Sequence, residues 1–115
     1  MNYIDGAVLA VRNADRDAYC EHATRMAAVL REHGALSVVD CWGEDVPEGK
    51  LTSFSMAVKR EPDESVVFSW ITWPSRAVRD EAWKKVMEDP RLKDEKPPFD
   101  GKRLIYGGFQ QIVDA

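Results

Sequence analysis

An α+β fold is predicted for this chain: one antiparallel sheet with two helices on the same face. Three observations carry that expectation. Strand-like and helix-like stretches follow in the order β-α-β-β-β-α-β, without the regular alternation of a doubly wound sheet. Several strands carry large apolar residues on both alternating faces. No internal repeat or long linker divides the chain, so residues 1–115 are expected to form one domain.

The elements follow from local pattern. Tyr3 to Val11 is apolar on both faces, as expected of a central strand covered on both sides. Asn13, Ala14 and Asp15 supply N-cap candidates and an early negative charge. Tyr19, Ala23, Met26, Ala27 and Leu30 then recur at helical spacing, and Gly34 stands where a left-handed C-cap is wanted, which predicts a helix over 14–33. Leu36 to Trp42 reads as a second strand, and 45–50 is a loop punctuated by Pro47 and Gly49. Phe54, Met56 and Val58 alternate with smaller residues, so 54–58 is expected to pair as a hairpin with the strand from Val66 to Trp73. Pro74 ends that strand and Ser75 caps a second helix. Its inner stripe is Val78, Ala82, Val86 and Met87, with Trp83 at the edge, until Asp89-Pro90 stops or kinks it. A charged, proline-rich connection over 91–98 leads to a last strand, Leu104 to Val113. A ferredoxin-like sandwich with an added hairpin satisfies this order.

Composition narrows the function classes. Sixteen Lys and Arg stand against twenty Asp and Glu, a net charge of −4, and the cations are scattered among carboxylates. That disfavours nucleic acid and anionic membrane as partners, since both require a basic face. No apolar run reaches bilayer length, and the chain begins on a strand without a signal-peptide pattern, so a cytoplasmic location is expected. Cys20 and Cys41 lack metal-ligand or redox spacing and are read as two buried free thiols, and no metal or cofactor motif is found.

Two helices cover one sheet face only. Val67, Ile71 and Trp73 project from one side of their strand, and Val66, Phe68 and Trp70 from the other; the last strand is similarly apolar on both sides. A free monomer seldom shows an apolar patch above roughly a few hundred Å². A homodimer closed sheet against sheet is therefore expected.

The stretches Asp40-Cys41-Trp42, Asp45-Val46-Pro47 with Gly49-Lys50, Phe68-Ser69-Trp70, Asp89-Pro90 and Phe99 to Phe109 resemble the YbaA-like family of small bacterial proteins of unknown function. That family is similar to the dimeric α+β barrels, which include antibiotic-biosynthesis-type monooxygenases and small-ring isomerases. The resemblance implies two ferredoxin-like subunits face to face. It supplies no catalytic residue, because the superfamily shares a shape and not a reaction.

Candidate site residues come from the chemistry of single positions. Asp40 shares a strand face with Val38 and Trp42, where a lone carboxylate is costly. It is an acid or base in a cavity, half of a structural pair with Lys102, Arg103 or another cation, or exposed at a strand end. Arg103 can anchor an anionic ligand or pair with a nearby carboxylate. Trp42, Trp70 and Tyr106 can wall a pocket for a flat apolar molecule, or serve core and interface. Gly107-Gly108 marks a bulge, a tight dimer contact or a close approach to a ligand. His22 and His33 are eleven residues apart on one helix, too far for one metal, and read as surface or core. Three functions remain in competition: binding of a small apolar or anionic molecule between sheet and helices, a cofactor-free monooxygenase- or isomerase-like enzyme using Asp40 for proton transfer, and a dimerisation module without a ligand.

Overall fold

A computed structural model describes residues 1–115. The long apolar run at the start forms β1 (Tyr3–Arg12), and Glu64–Trp73 forms a strand of equal length. Between them lie a 3-10 turn (Asn13–Asp15), α1 (Arg16–Glu32), β2 (Ser37–Trp42) and a single helical turn, α2 (Phe54–Ala57). The strand Glu64–Trp73 is β3; after it come α3 (Arg76–Met87), α4 (Pro90–Lys93) and β4 (Ile105–Gln110). The sheet has four antiparallel strands in the order β2-β3-β1-β4. β1 and β3 pair along their whole length, from Tyr3 opposite Trp73 to Arg12 opposite Glu64.

The expected α+β sheet with two helices on one face is present, and the added hairpin is not. Ser53 accepts a hydrogen bond from the Met56 amide and so caps a helix where alternation suggested a strand. A five-residue alternation fits either structure, and the cap decides it. Lys59 ends the turn at a φ of 51°. Val58 then packs on Val8, Ala10 and Val66, so this segment covers one end of the face opposite α1 and α3. The Asn13–Asp15 residues form a turn rather than a side-chain cap. Gly34 does take the positive φ, 112°, that ends α1. Asp89 terminates α3 and caps α4, whose first residue is Pro90, a position where the missing proline N–H is no loss.

Register assigns side chains to faces, because directly paired residues point the same way. Tyr3, Asp5, Leu9 and Val11 of β1, Val67, Ser69, Ile71 and Trp73 of β3, and Val38, Asp40 and Trp42 of β2 face the two long helices. Trp73 is fully buried there with Val29, Leu30, Ala82 and Val86. Ile4, Val8, Phe68, Trp70, Ile105 and Phe109 form the other face. On it Phe68 and Ile105 are each 44% exposed and Phe109 60%. Met87, expected in the α3 stripe, is exposed instead. No helix is long and apolar enough to cross a membrane.

Candidate functional site

Between the sheet and the pair α1 and α3 lies a cavity of about 600 Å³. Leu9, Val38 and Ile71 line it from the sheet, Tyr19, Met26 and Trp83 from the helices, and Tyr106 from the edge strand. A second hollow of about 400 Å³ runs between α1 and β2, where Arg16 lies 5.2 Å over the Trp42 ring. Tyr19, Ala23, Val38 and Asp40 line both spaces.

Asp40 reaches this boundary and accepts a 2.6 Å hydrogen bond from the Tyr19 hydroxyl. It pairs with neither Lys102 nor Arg103. Burial, and then Asp40 itself, keeps the Tyr19 phenol protonated well above its ordinary range. Helical spacing sets His22 one turn from Tyr19, with ring centroids 6.4 Å apart. The His22 Nδ1 lies 2.8 Å from Glu95 Oε1, and Phe99 packs edge-on against the imidazole at 6.0 Å. Arg25 also bonds Glu95, through Nε at 3.0 Å and through Nη2. Arg25 first, then His22, holds the Glu95 carboxyl below the usual carboxylate range.

A carboxylate closes the α3 end. Asp5 accepts from Trp73 Nε1 at 2.8 Å, from Trp83 Nε1 at 2.9 Å, and from Arg79 Nε and Nη2 at 3.0 and 2.8 Å. Arg79 also donates to Asp80 at 2.8 Å, and its guanidinium lies 5.3 Å over the Tyr3 ring. Asp5 first and Asp80 second raise the Arg79 pKa. The only guanidinium lining the large cavity is thus already matched by carboxylates. No group of three or more His, Cys, Asp or Glu side chains could hold a metal ion.

The structure therefore brings together only part of the residue set read from sequence. Asp40 and Tyr106 line the large cavity and Trp42 the smaller one. Trp70 points away from both, on the opposite sheet face beside Phe68 at 5.6 Å. Arg103 is not free to anchor a ligand. It forms a two-pronged pair with the buried Glu64, both contacts 2.7 Å, and also bonds Asp100 and the Lys59 carbonyl. That pairing, led by Arg103, holds Glu64 down to about 2. Gly107 and Gly108 stay in continuous register with β1 and form no bulge. A Cβ on Gly108 would fall 2.5 Å from the Tyr3 hydroxyl and 2.7 Å from Arg79 Nη2, so the glycine makes room for that pair. Cys20 and Cys41 are free and exposed, not buried. Sequence reading missed Asp5, Arg79, Trp83 and the pairing of His22. Asp5 carried the same signal as Asp40, a carboxylate within an apolar strand.

Similarity to known proteins agrees with this architecture. The profile of the family described as "Protein of unknown function (DUF1428)" matches residues 2–101. The chain is 56% identical over 116 aligned positions to the uncharacterized protein YbaA of Escherichia coli K12, covering 99% of each chain, with the same figures for YbaA of Shigella flexneri. Among solved structures, a Bacillus cereus protein named for the antibiotic-biosynthesis monooxygenases superposes with a TM-score of 0.55 at 12% identity, over 99% of this chain and 97% of the other. Rv0793 of Mycobacterium tuberculosis superposes with 0.54 at 16% identity, over 100% and 99%. At such identities these two establish the fold alone. The profile match and the near full-length identity to YbaA together place this chain in the DUF1428 family of proteins of unknown function.

Proposed function

We propose that this protein is a cytoplasmic homodimer that binds a small, flat, mostly apolar molecule between its sheet and its long helices. The carrying observation is the cavity of about 600 Å³, whose walls are mostly aliphatic and aromatic. Its size lies within the range of roughly 300–1,000 Å³ typical of ligand pockets. An anionic ligand is disfavoured, because Arg79 and Arg103 are both engaged by carboxylates. A ligand carrying a neutral hydrogen-bond donor suits the acceptors at Asp40 and His22. Support for the dimer is the apolar face bearing Phe68, Ile105 and Phe109, which α2 covers at one end only. Exposed free thiols at Cys20 and Cys41 suit a reducing compartment.

The neutral fluorophore N-phenyl-1-naphthylamine tests the cavity. Saturable binding at micromolar concentration is expected, and Ala23→Trp, which fills the space, abolishes it. Undiminished binding by that variant removes the reading. Sedimentation velocity tests the dimer: Phe109→Asp is expected to yield monomers, and a wild-type monomer at micromolar concentration refutes the sheet-to-sheet arrangement.

One observation favours a second reading, a cofactor-free monooxygenase- or isomerase-like enzyme. Asp40, bonded by Tyr19 at the cavity boundary, is placed to exchange a proton with a bound molecule. The name of the Bacillus cereus neighbour points the same way. The competing role as a dimerisation module without a ligand requires a cavity that binds nothing, and the fluorophore decides it.

A further inference from the structure

We propose that His22, oriented by Glu95, is a general base that takes a proton from the molecule held in the cavity. This rests on the cavity reading and on no role for Asp40. The imidazole lines the cavity, and its Nδ1 is bound to Glu95. His22 and Glu95 side chains are each only 13% exposed. The Glu95 carboxyl is kept ionised by Arg25 and His22, so it can only accept a hydrogen bond. Nδ1 must therefore carry the proton of that bond, and in the neutral ring the lone pair is left on Nε2. Nε2 has no protein partner. No buried side-chain nitrogen or oxygen lacks one, so Nε2 keeps open surface. Tyr19 and Phe99, themselves 6.0 Å apart, pack with the ring as one aromatic cluster. One nitrogen is fixed by a carboxylate and the other has no protein partner, on a residue that lines the cavity, which is the arrangement of a positioned base.

The step is a simple proton transfer. The ligand O–H or activated C–H bond breaks, its electron pair stays on the ligand, and the proton bonds to Nε2. The imidazolium formed lies against the Glu95 carboxylate, which stabilises it. Arg25 bonds the same Glu95 oxygen, Oε1, that His22 does, so Glu95 and Arg25 are positioning residues. The remaining ionisable side chains along the cavity are Tyr19, Asp40, Tyr106 and the α3-side pair Arg79 with Asp5 and Asp80.

The test uses 4-nitrophenol, a flat proton donor whose anion has its own visible absorption. Binding is followed by quenching of tryptophan fluorescence and proton loss by absorbance, in the full-length protein. The ionised-to-neutral ratio of bound probe is expected to rise about tenfold over free probe at the same pH, as a base within ion-pair distance produces. His22→Gln should still bind the probe, more weakly than wild type, and lose the ionisation gain. Glu95→Gln, which keeps the ring and a hydrogen-bonding partner, should lose most of it and so supports the inference even if His22→Gln does not fold. Equal ionisation in wild type and His22→Gln overturns the inference while leaving the cavity reading intact. Loss of the gain in Asp40→Asn but not in His22→Gln also overturns it and moves the proton to Asp40. Failure of the wild-type protein to bind the probe overturns this inference, whereas only failure with the neutral fluorophore as well overturns the cavity.

Discussion

Replacing Asp5 with alanine should be among the most damaging single changes in the sheet. Its carboxylate is the shared acceptor of two indoles and one guanidinium. Trp73 is 0% exposed, so its N–H cannot turn to water once Asp5 is gone. An orphaned buried donor costs about 1–3 kcal/mol. Trp83, only partly buried, loses about 1 kcal/mol. Arg79 loses its main partner but keeps Asp80, and its side chain is 21% exposed. That reduces the roughly 3–5 kcal/mol of a broken buried pair to about 1–2 kcal/mol. These terms share one group and do not add fully, so about 4 kcal/mol is expected. For a domain of this size that lowers the melting midpoint by about 15 °C. Asp5→Asn keeps an acceptor oxygen for the indoles and should cost about half as much. The assay is urea unfolding followed by tryptophan fluorescence at one fixed protein concentration, since association would shift the midpoint. A loss below about 1 kcal/mol for Asp5→Ala would show that the indoles and Arg79 find other partners, and the account of this cluster would be wrong.

Three further outcomes are expected. Tyr19 should resist alkaline titration, and Tyr19→Phe should remove that late-titrating component from an ultraviolet titration. Because the folded-state pKa of Tyr19 is raised, its contribution to stability is complete below about pH 10 and fades as pH climbs further. Glu64 has the opposite sign: its folded value is depressed from 4.5 to about 2, so the stability from its pair with Arg103 is complete above 4.5 and is lost as pH falls toward 2. Glu64→Gln should cost about 2 kcal/mol at neutral pH and flatten the acid limb of a stability-against-pH curve. Gly108→Ala should push Tyr3 off Arg79 and lower the thermal midpoint by several degrees, about 1–2 kcal/mol; an unchanged midpoint would mean the edge strand shifts outward freely.

The architecture was legible where periodicity was long. β1, α1 and β3 each run ten residues or more and were read with small errors at their ends. The segment 54–58 failed because a five-residue alternation has no length to separate strand from helix, although Ser53 was a readable cap. Arg103 and Glu64 are 39 residues apart, so sequence offered ion pairing only as one of two options. His22 looked idle because its partner, Glu95, is 73 positions away in a stretch read as a connection. Asp40 was found by being out of place among apolar neighbours, while the hydroxyl that satisfies it comes from α1. Individual residue types announce chemistry; which of them meet is decided by the sheet order.

That order also bears on how the protein is made. The strand at the centre of the sheet, β1, leaves the ribosome well before its partner β3, which begins only at Glu64. For about fifty residues of synthesis, some seconds at ordinary elongation rates, the greasy ribbon Tyr3–Arg12 has no ladder to join. The nascent chain is most prone to sticking to its neighbours in that interval, and chaperone demand should fall sharply once Trp73 clears the exit tunnel.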